Sequence, residues 1–323
     1  MKLATDERAL FGLSLLIYVV LTLAIAVGPA TRLLRTPPTP GLTPPSAQVE
    51  AGRKVYVAEG CSYCHTQQVR PLPGDRPFGR PSAPGDYVYD RPELLGSERT
   101  GPDLSDVGQR LASDAWHLIH LYEPRAVTPW SVMPAFHWLF TIRPQPAPGE
   151  VTVALPPAYA PSDGTVVATQ RALDLVAYLR SLKQVPIGHA EAGTAIAKAV
   201  PGAAPAVTAP ASFAWQQLGE KVYVEKCAAC HQVGGQGIPS VFPPLKGNPA
   251  VLANDPAEHL HAVLFGLVGK PIDGVVYPAA MPPWDGQLSD EQIAAVVDYE
   301  RRSWGNNASL VTPGDVKVAR GKK

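Results

Sequence analysis

Cys61-Ser62-Tyr63-Cys64-His65 is a C-x-x-C-H pentapeptide, and Cys227-Ala228-Ala229-Cys230-His231 repeats it. Together they use all four cysteines of the 323-residue chain. Two thiols at this spacing can join the two vinyl groups of one haem as thioethers, which leaves the adjacent histidine beneath the iron. Each pentapeptide therefore predicts a covalently attached haem c, at Cys61 and Cys64 and again at Cys227 and Cys230. Two C-x-x-C pairs could instead share one structural zinc, but zinc ribbons space their pairs by tens of residues and require no trailing histidine. A thioredoxin-like dithiol would need a βαβ pattern, which surrounds neither pair.

The repeat extends outward from both motifs. Gly52-Arg53-Lys54-Val55-Tyr56 leads into the first and Gly219-Glu220-Lys221-Val222-Tyr223 into the second, one residue closer to its cysteine. Beyond the motifs come Gly101-Pro102-Asp103-Leu104 and Pro243-Pro244-Leu245, then Met133-Pro134 and Met281-Pro282. A helical pattern follows each, over about 169–182 and from about Ser289, where Ser289 and Gln292 form a capping box ahead of an apolar face of Ile293, Val296 and Val297. The fold class expected is all-α: one N-terminal transmembrane helix followed by two cytochrome c-like haem domains.

Composition sets bounds around this core. Hydrophobic residues make up 46% and charged residues 17%, with 36 prolines that imply much irregular backbone. Net charge is zero, so no global charge points to nucleic acid. Ala9 to Thr31 carries no charge and is long enough to cross a hydrocarbon core of ~30 Å. A cleaved secretory signal would have a shorter apolar run, of roughly 7–15 residues. Flanking charges do not orient the span, since Lys2 and Arg8 are matched by Arg32 and Arg35. Haem c is attached outside the bacterial cytoplasm, which places the expected haem domains in the periplasm and the N-terminus in the cytoplasm, with the span in the inner membrane.

The boundaries expected are a short cytoplasmic N-terminus (1–8), the transmembrane helix (9–31) and a Pro-rich spacer (32–46) holding the next domain off the membrane. The first haem domain (47–184), an Ala/Pro-rich linker (185–212), the second haem domain (213–307) and a polar tail (308–323) follow.

Haem c iron bound to histidine commonly takes methionine on its other face, which raises the reduction potential. Apart from Met1 the chain has two methionines, Met133 and Met281, one per expected domain. The axial pairs predicted are His65 with Met133 and His231 with Met281. His117, His120, His137, His259 and His261 could replace a methionine, but surface positions or hydrogen bonds to haem propionates are expected of them. The ligating histidine donates its second ring N–H to a fixed acceptor, and Pro102 and Pro243 are the candidate carbonyls. Gly52 and Gly219 would let the helices before the motifs approach the C-terminal helices near Tyr178 and Tyr299.

With these residues assembled, a family resemblance emerges. Cys61 to Pro71 (CSYCHTQQVRP), Gly85-Asp86-Tyr87-Val88-Tyr89-Asp90, Gly96 to Leu104 (GSERTGPDL), Trp116-His117, His120-Leu121, Pro124-Arg125 and Met133-Pro134 resemble the membrane-anchored monohaem cytochrome c subunit of cbb3-type oxidases. The resemblance runs from the anchor to about Lys183. It departs at Gln68, where that family usually has methionine, in a Pro- and Val-rich insertion over about 143–167, and in the second haem domain, which is similar to generic single-haem cytochromes c.

The resemblance implies electron relay from a soluble cytochrome c or another cytochrome c subunit to a haem-copper oxidase catalytic subunit, in contact with membrane lipid and without nucleic acid. No catalytic residue is expected within this chain, because a His/Met six-coordinate iron has no open position for oxygen. The order implied is the Cys227/Cys230 haem first, as an outer domain on a flexible tether, then the Cys61/Cys64 haem. The alternatives are a free-standing membrane dihaem cytochrome serving another reductase, such as nitric oxide reductase, or a dehydrogenase.

Overall fold

A computed structural model describes residues 7–185, 215–272 and 274–322. The start of the expected N-terminal segment and nearly all of the expected linker lie outside the described residues.

Helix α1 (Glu7–Leu33) runs 27 residues with no part buried against the rest of the chain, about 40 Å at 1.5 Å per residue. It extends the expected span by two residues at each end. Pro29 has no N–H to continue the helical ladder, and the turn before it, Thr22–Val27, is under-wound into π-helix.

The spacer does not hold the next domain at a distance. Thr39 is buried: its hydroxyl donates to Asp86 Oδ1 at 2.7 Å and its N–H to the Gly85 carbonyl at 3.1 Å. A Cβ on Gly85 would lie 2.9 Å from the Pro37 carbonyl oxygen, so a glycine is what admits the strand-like spacer to this surface.

The first domain is built on α2 (Ala47–Ala58), α3 (Asp114–Tyr122) and α4 (Gln170–Ser181). Ser46 and Ser113 cap the first two by accepting from Val49 N and Trp116 N, each at 3.3 Å. Helices α2 and α4 cross at Gly52, where an added Cβ would strike the Asp174 carbonyl and lie 2.8 Å from Tyr178 Cβ. Beside the crossing, the Tyr56 and Tyr178 rings pack with centroids 5.2 Å apart.

The insertion folds as an antiparallel sheet in the order β1-β3-β2, with β1 (Phe140–Arg143), β2 (Thr152–Val153) and β3 (Thr165–Ala168). Phe140 pairs with Ala168 and Thr152 with Val167, while Val153, Val166 and Val167 turn into the core. The protein is otherwise mostly helical, with a further antiparallel pair, Pro271–Ile272 with Val275–Val276, in the second domain.

The second domain repeats the helix crossing. Helix α5 (Trp215–Val222) meets α7 (Asp290–Arg302) at Gly219, where a Cβ would strike the Ala295 carbonyl and lie 2.8 Å from Tyr299 Cβ. Helix α6 (Ala257–Phe265) packs alongside. Helix α7 starts in its capping box, Gln292 N donating to Ser289 Oγ at 3.3 Å and Ser289 N to Gln292 Oε1 at 2.9 Å.

The expected polar tail is not a tail. Residues Pro313–Arg320 form α8, opened by a Thr312/Asp315 capping box, with Val316 fully buried in the second core. Buried Arg301 ties this segment down by donating to the carbonyls of Ser309 (2.6 Å), Val251 (2.7 Å) and Ala253 (2.8 Å). Asp298 Oδ1 accepts from Val311 N at 2.7 Å. A guanidinium spread over three carbonyls satisfies acceptors that would otherwise be buried unpaired.

Candidate haem sites

Gly60, at φ 72°, ends α2 in the left-handed conformation and turns the chain into a tight helical turn, Cys61–Tyr63. That turn presents Cys61 and Cys64 on the haem-facing loop, closed by His65 N donating to the Cys61 carbonyl at 3.1 Å. His65 Nδ1–H donates to the Pro102 carbonyl at 2.8 Å, so Nε2 is the nitrogen left to face an iron. The ring lies flat against Gly101: a Cβ there would come within 2.7 Å of Nδ1. Burial lowers the His65 pKa and favours the neutral imidazole a metal requires.

The residues that follow His65 are held by a charged network that sequence reasoning missed. Asp75, 2% exposed, receives Arg70 Nε at 2.9 Å, Arg99 Nη1 at 2.6 Å and Arg99 Nη2 at 2.9 Å. Hydrogen bonds from Arg70 and then Arg99 hold its carboxyl far below the usual range. Arg99 also donates to Thr66 Oγ1 (2.7 Å) and the Gln68 carbonyl (2.8 Å), and buried Asp103 accepts from Thr66 Oγ1 (2.6 Å) and Gln68 N (2.9 Å). Gln68 thus contributes its backbone, while its side chain is exposed. Met133 is half-buried against the same core that Cys61 touches, with its N–H donating to Ser131 Oγ at 3.2 Å.

In the second domain the helical path of α5 continues through a π-helical turn, Tyr223–Cys227, into Ala228–His231. His231 Nδ1–H donates to the Pro243 carbonyl at 2.9 Å, and burial lowers its pKa. Cys227, Cys230, His231 and Met281 line one cleft. The Met281 backbone is fixed by a two-way pair with Leu267, at 2.9 and 3.2 Å.

These residues fit haem. Burial pushes the Cys61 and Cys230 thiols up to about 12 and raises that of Cys227, which suits sulfur held uncharged, as in a thioether. Among the described residues no group of three His, Cys, Asp or Glu side chains is placed to hold a metal ion.

The remaining histidines divide. His137 and His261 are exposed, whereas His117 and His259 contradict the expected surface positions. His117 is buried and donates from Nε2 to the Leu111 carbonyl at 2.9 Å. His259, also buried, pairs with Glu300 at 2.7 Å. His120 stacks on Trp116, ring centroids 4.5 Å apart and 15° from parallel.

Two C-x-x-C-H turns, each with its histidine backed by a proline carbonyl and a helix crossing at glycine, define a cytochrome c. The chain belongs to the cytochrome c family. Residues 3–148 match the family described as "Cytochrome C oxidase, mono-heme subunit/FixO", and residues 215–299 match "Cytochrome C oxidase, cbb3-type, subunit III". It is similar to cytochrome c-552 of Thermus thermophilus, 41% identical over 117 residues, covering 33% of this chain and 88% of that protein. It is also similar to the cytochrome c subunit of the quinone alcohol dehydrogenase of Gluconobacter oxydans, 40% identical over 103 residues, covering 32% of this chain and 22% of that subunit. The gluconate 2-dehydrogenase cytochrome c subunit of Pantoea cypripedii is 37% identical over 106 residues, covering 32% of this chain and 24% of that subunit. The chain thus spans under a quarter of the length of these dehydrogenase subunits.

Proposed function

We propose that the chain is a membrane-anchored dihaem cytochrome c that relays electrons from a periplasmic donor to the haem-copper catalytic subunit of a cbb3-type terminal oxidase in aerobic respiration. The observation that carries this reading is the match of residues 3–148, anchor and first haem motif together, to the monohaem oxidase subunit family.

In this reading haem supplies a one-electron iron couple at each site. Cys61 and Cys64, and Cys227 and Cys230, hold the two groups covalently. His65 and His231 would offer Nε2, and Met133 and Met281 sulfur, as iron ligands, with the Pro102 and Pro243 carbonyls fixing the ring orientations. Helix α1 spans the inner membrane with its start in the cytoplasm and both haem domains in the periplasm.

Purification from native membranes tests the reading: copurifying haem b and copper are expected alongside haem c. A copurifying dehydrogenase would instead support a dehydrogenase partner, the second reading favoured by the dehydrogenase cytochrome subunits among the relatives, and haem c alone a free-standing cytochrome. Met133→His tests the ligand assignment. The first haem should stay attached, lose its Met-to-iron charge-transfer band and fall in potential.

A further inference from the structure

The two haem sites are not separated by open space. Trp116, buried in α3 of the first domain, donates from Nε1 to the carbonyl of Ala229 at 3.1 Å, inside the second C-x-x-C-H turn. Arg110, Leu111, Ser113 and Trp116 line the same cleft as Cys227, Cys230, His231 and Met281. Ile238, Val241 and Phe242 of the second domain are buried in one continuous core with the first. Across the same boundary Asp106 and Lys226 lie near enough for each to favour the other's charge.

The Trp116 ring also stacks on His120, and Trp116 belongs to the buried cluster against which Cys61 and Met133 of the first site and Ala229 and Cys230 of the second all pack. Packed and hydrogen-bonded atoms therefore run from Cys61 and Met133 of one site through Trp116 to the Ala229 carbonyl in the thioether loop of the other. Electron tunnelling falls steeply with distance and more steeply across gaps than through packed or hydrogen-bonded atoms.

We propose that the first domain forms a wall of the second haem site, and that Trp116, stacked on His120 and hydrogen-bonded to Ala229, is the bridge by which an electron crosses between the two centres. One electron leaves a ferrous iron, which becomes ferric, and reduces the ferric iron of the other site. No bond forms or breaks, no proton moves, and Trp116 is not itself oxidised. The second domain is then a docked station rather than one swinging on a tether. This proposal rests on the dihaem reading above.

The full chain is tested in detergent as wild type, Trp116→Phe and Trp116→Ala. Haem content and spectra report on the dihaem reading by themselves. Hydrogen exchange followed by mass spectrometry reports docking independently of haem: residues 110–116 and 228–242 should be protected together in the wild type and lose that protection in Trp116→Ala. Flash reduction of one haem then follows equilibration with the other. Trp116→Phe keeps a ring but not the N–H donor, so it should remain docked, with unchanged haem spectra, yet equilibrate at least an order of magnitude more slowly. Unprotected segments in the wild type would overturn the shared wall, and equilibration at the wild-type rate in a docked, dihaem Trp116→Phe would overturn the bridge.

Discussion

Gly52 lies so close to Asp174 that a Cβ at position 52 and the Asp174 carbonyl cannot occupy the space between α2 and α4 together. The obstacle is backbone, not a side chain that could rotate away. Gly52→Ala should therefore destabilise the first domain by about 1–3 kcal/mol, the cost of overpacking a close helix contact, and Gly219→Ala should do the same in the second. Denaturant titration followed at each haem's Soret band measures both. Equal loss in both domains from one substitution would contradict local helix crossings.

Asp75→Asn removes the carboxylate that Arg70 and Arg99 share, leaving Arg99 only the Asp103 carboxylate, at 3.2 Å. The variant should be less stable than the wild type at neutral pH, an effect tempered by solvent because Arg70 is half exposed. Because the folded pKa of Asp75 is depressed, its contribution is present above the unfolded value of about 3.9 and is lost as pH falls towards the folded value. The stability gap between wild type and variant should close in acid, which thermal melts at pH 7 and pH 3 would reveal.

His117 adds to the same acid sensitivity, at higher pH. Burial lowers its pKa to about 3, so between there and the unfolded value of about 6.5 the unfolded chain binds a proton that the folded chain refuses. Stability from this group is complete above that window and declines as pH falls through it. His117→Gln should flatten the pH dependence by up to about 1.4 kcal/mol per pH unit. Melts across pH 4 to 7 check this, and an unaltered slope would count against a neutral, buried His117.

Val316 is fully buried in the second core. Val316→Ala should cost about 1–3 kcal/mol, and removal of residues 308–323 should release the Arg301 acceptors at Ser309 and cost more. Differential scanning calorimetry should show the loss in the second domain's transition alone.

What could be read from the residues was chemistry at fixed spacing. The cysteine pairs, the proline carbonyls behind His65 and His231, and the glycines before each motif depend on local repeats, and the structure places them together. What escaped was non-local or weakly patterned. Asp75 meets Arg99 across an irregular loop, with no periodicity to announce it. Helix α8 begins with Pro313-Gly314 and buries chiefly Val316, so its sequence looks polar. The strands of the insertion are short and interrupted by proline. The contact of Trp116 with Ala229 joins residues from two domains, and nothing in either segment's pattern requires it.

The pinning of Thr39 onto Gly85 and Asp86 changes how the first domain is coupled to α1. A free spacer over residues 32–46 could pay out roughly 50 Å of extended chain at ~3.3–3.6 Å per residue. With Thr39 fastened, only residues 34–38 remain between the end of α1 and the pin, a slack of no more than about 18 Å. The first haem domain is therefore carried on a short lever rather than a leash: its height above the end of α1 is bounded by that bracket, and tilt of α1 is transmitted to it.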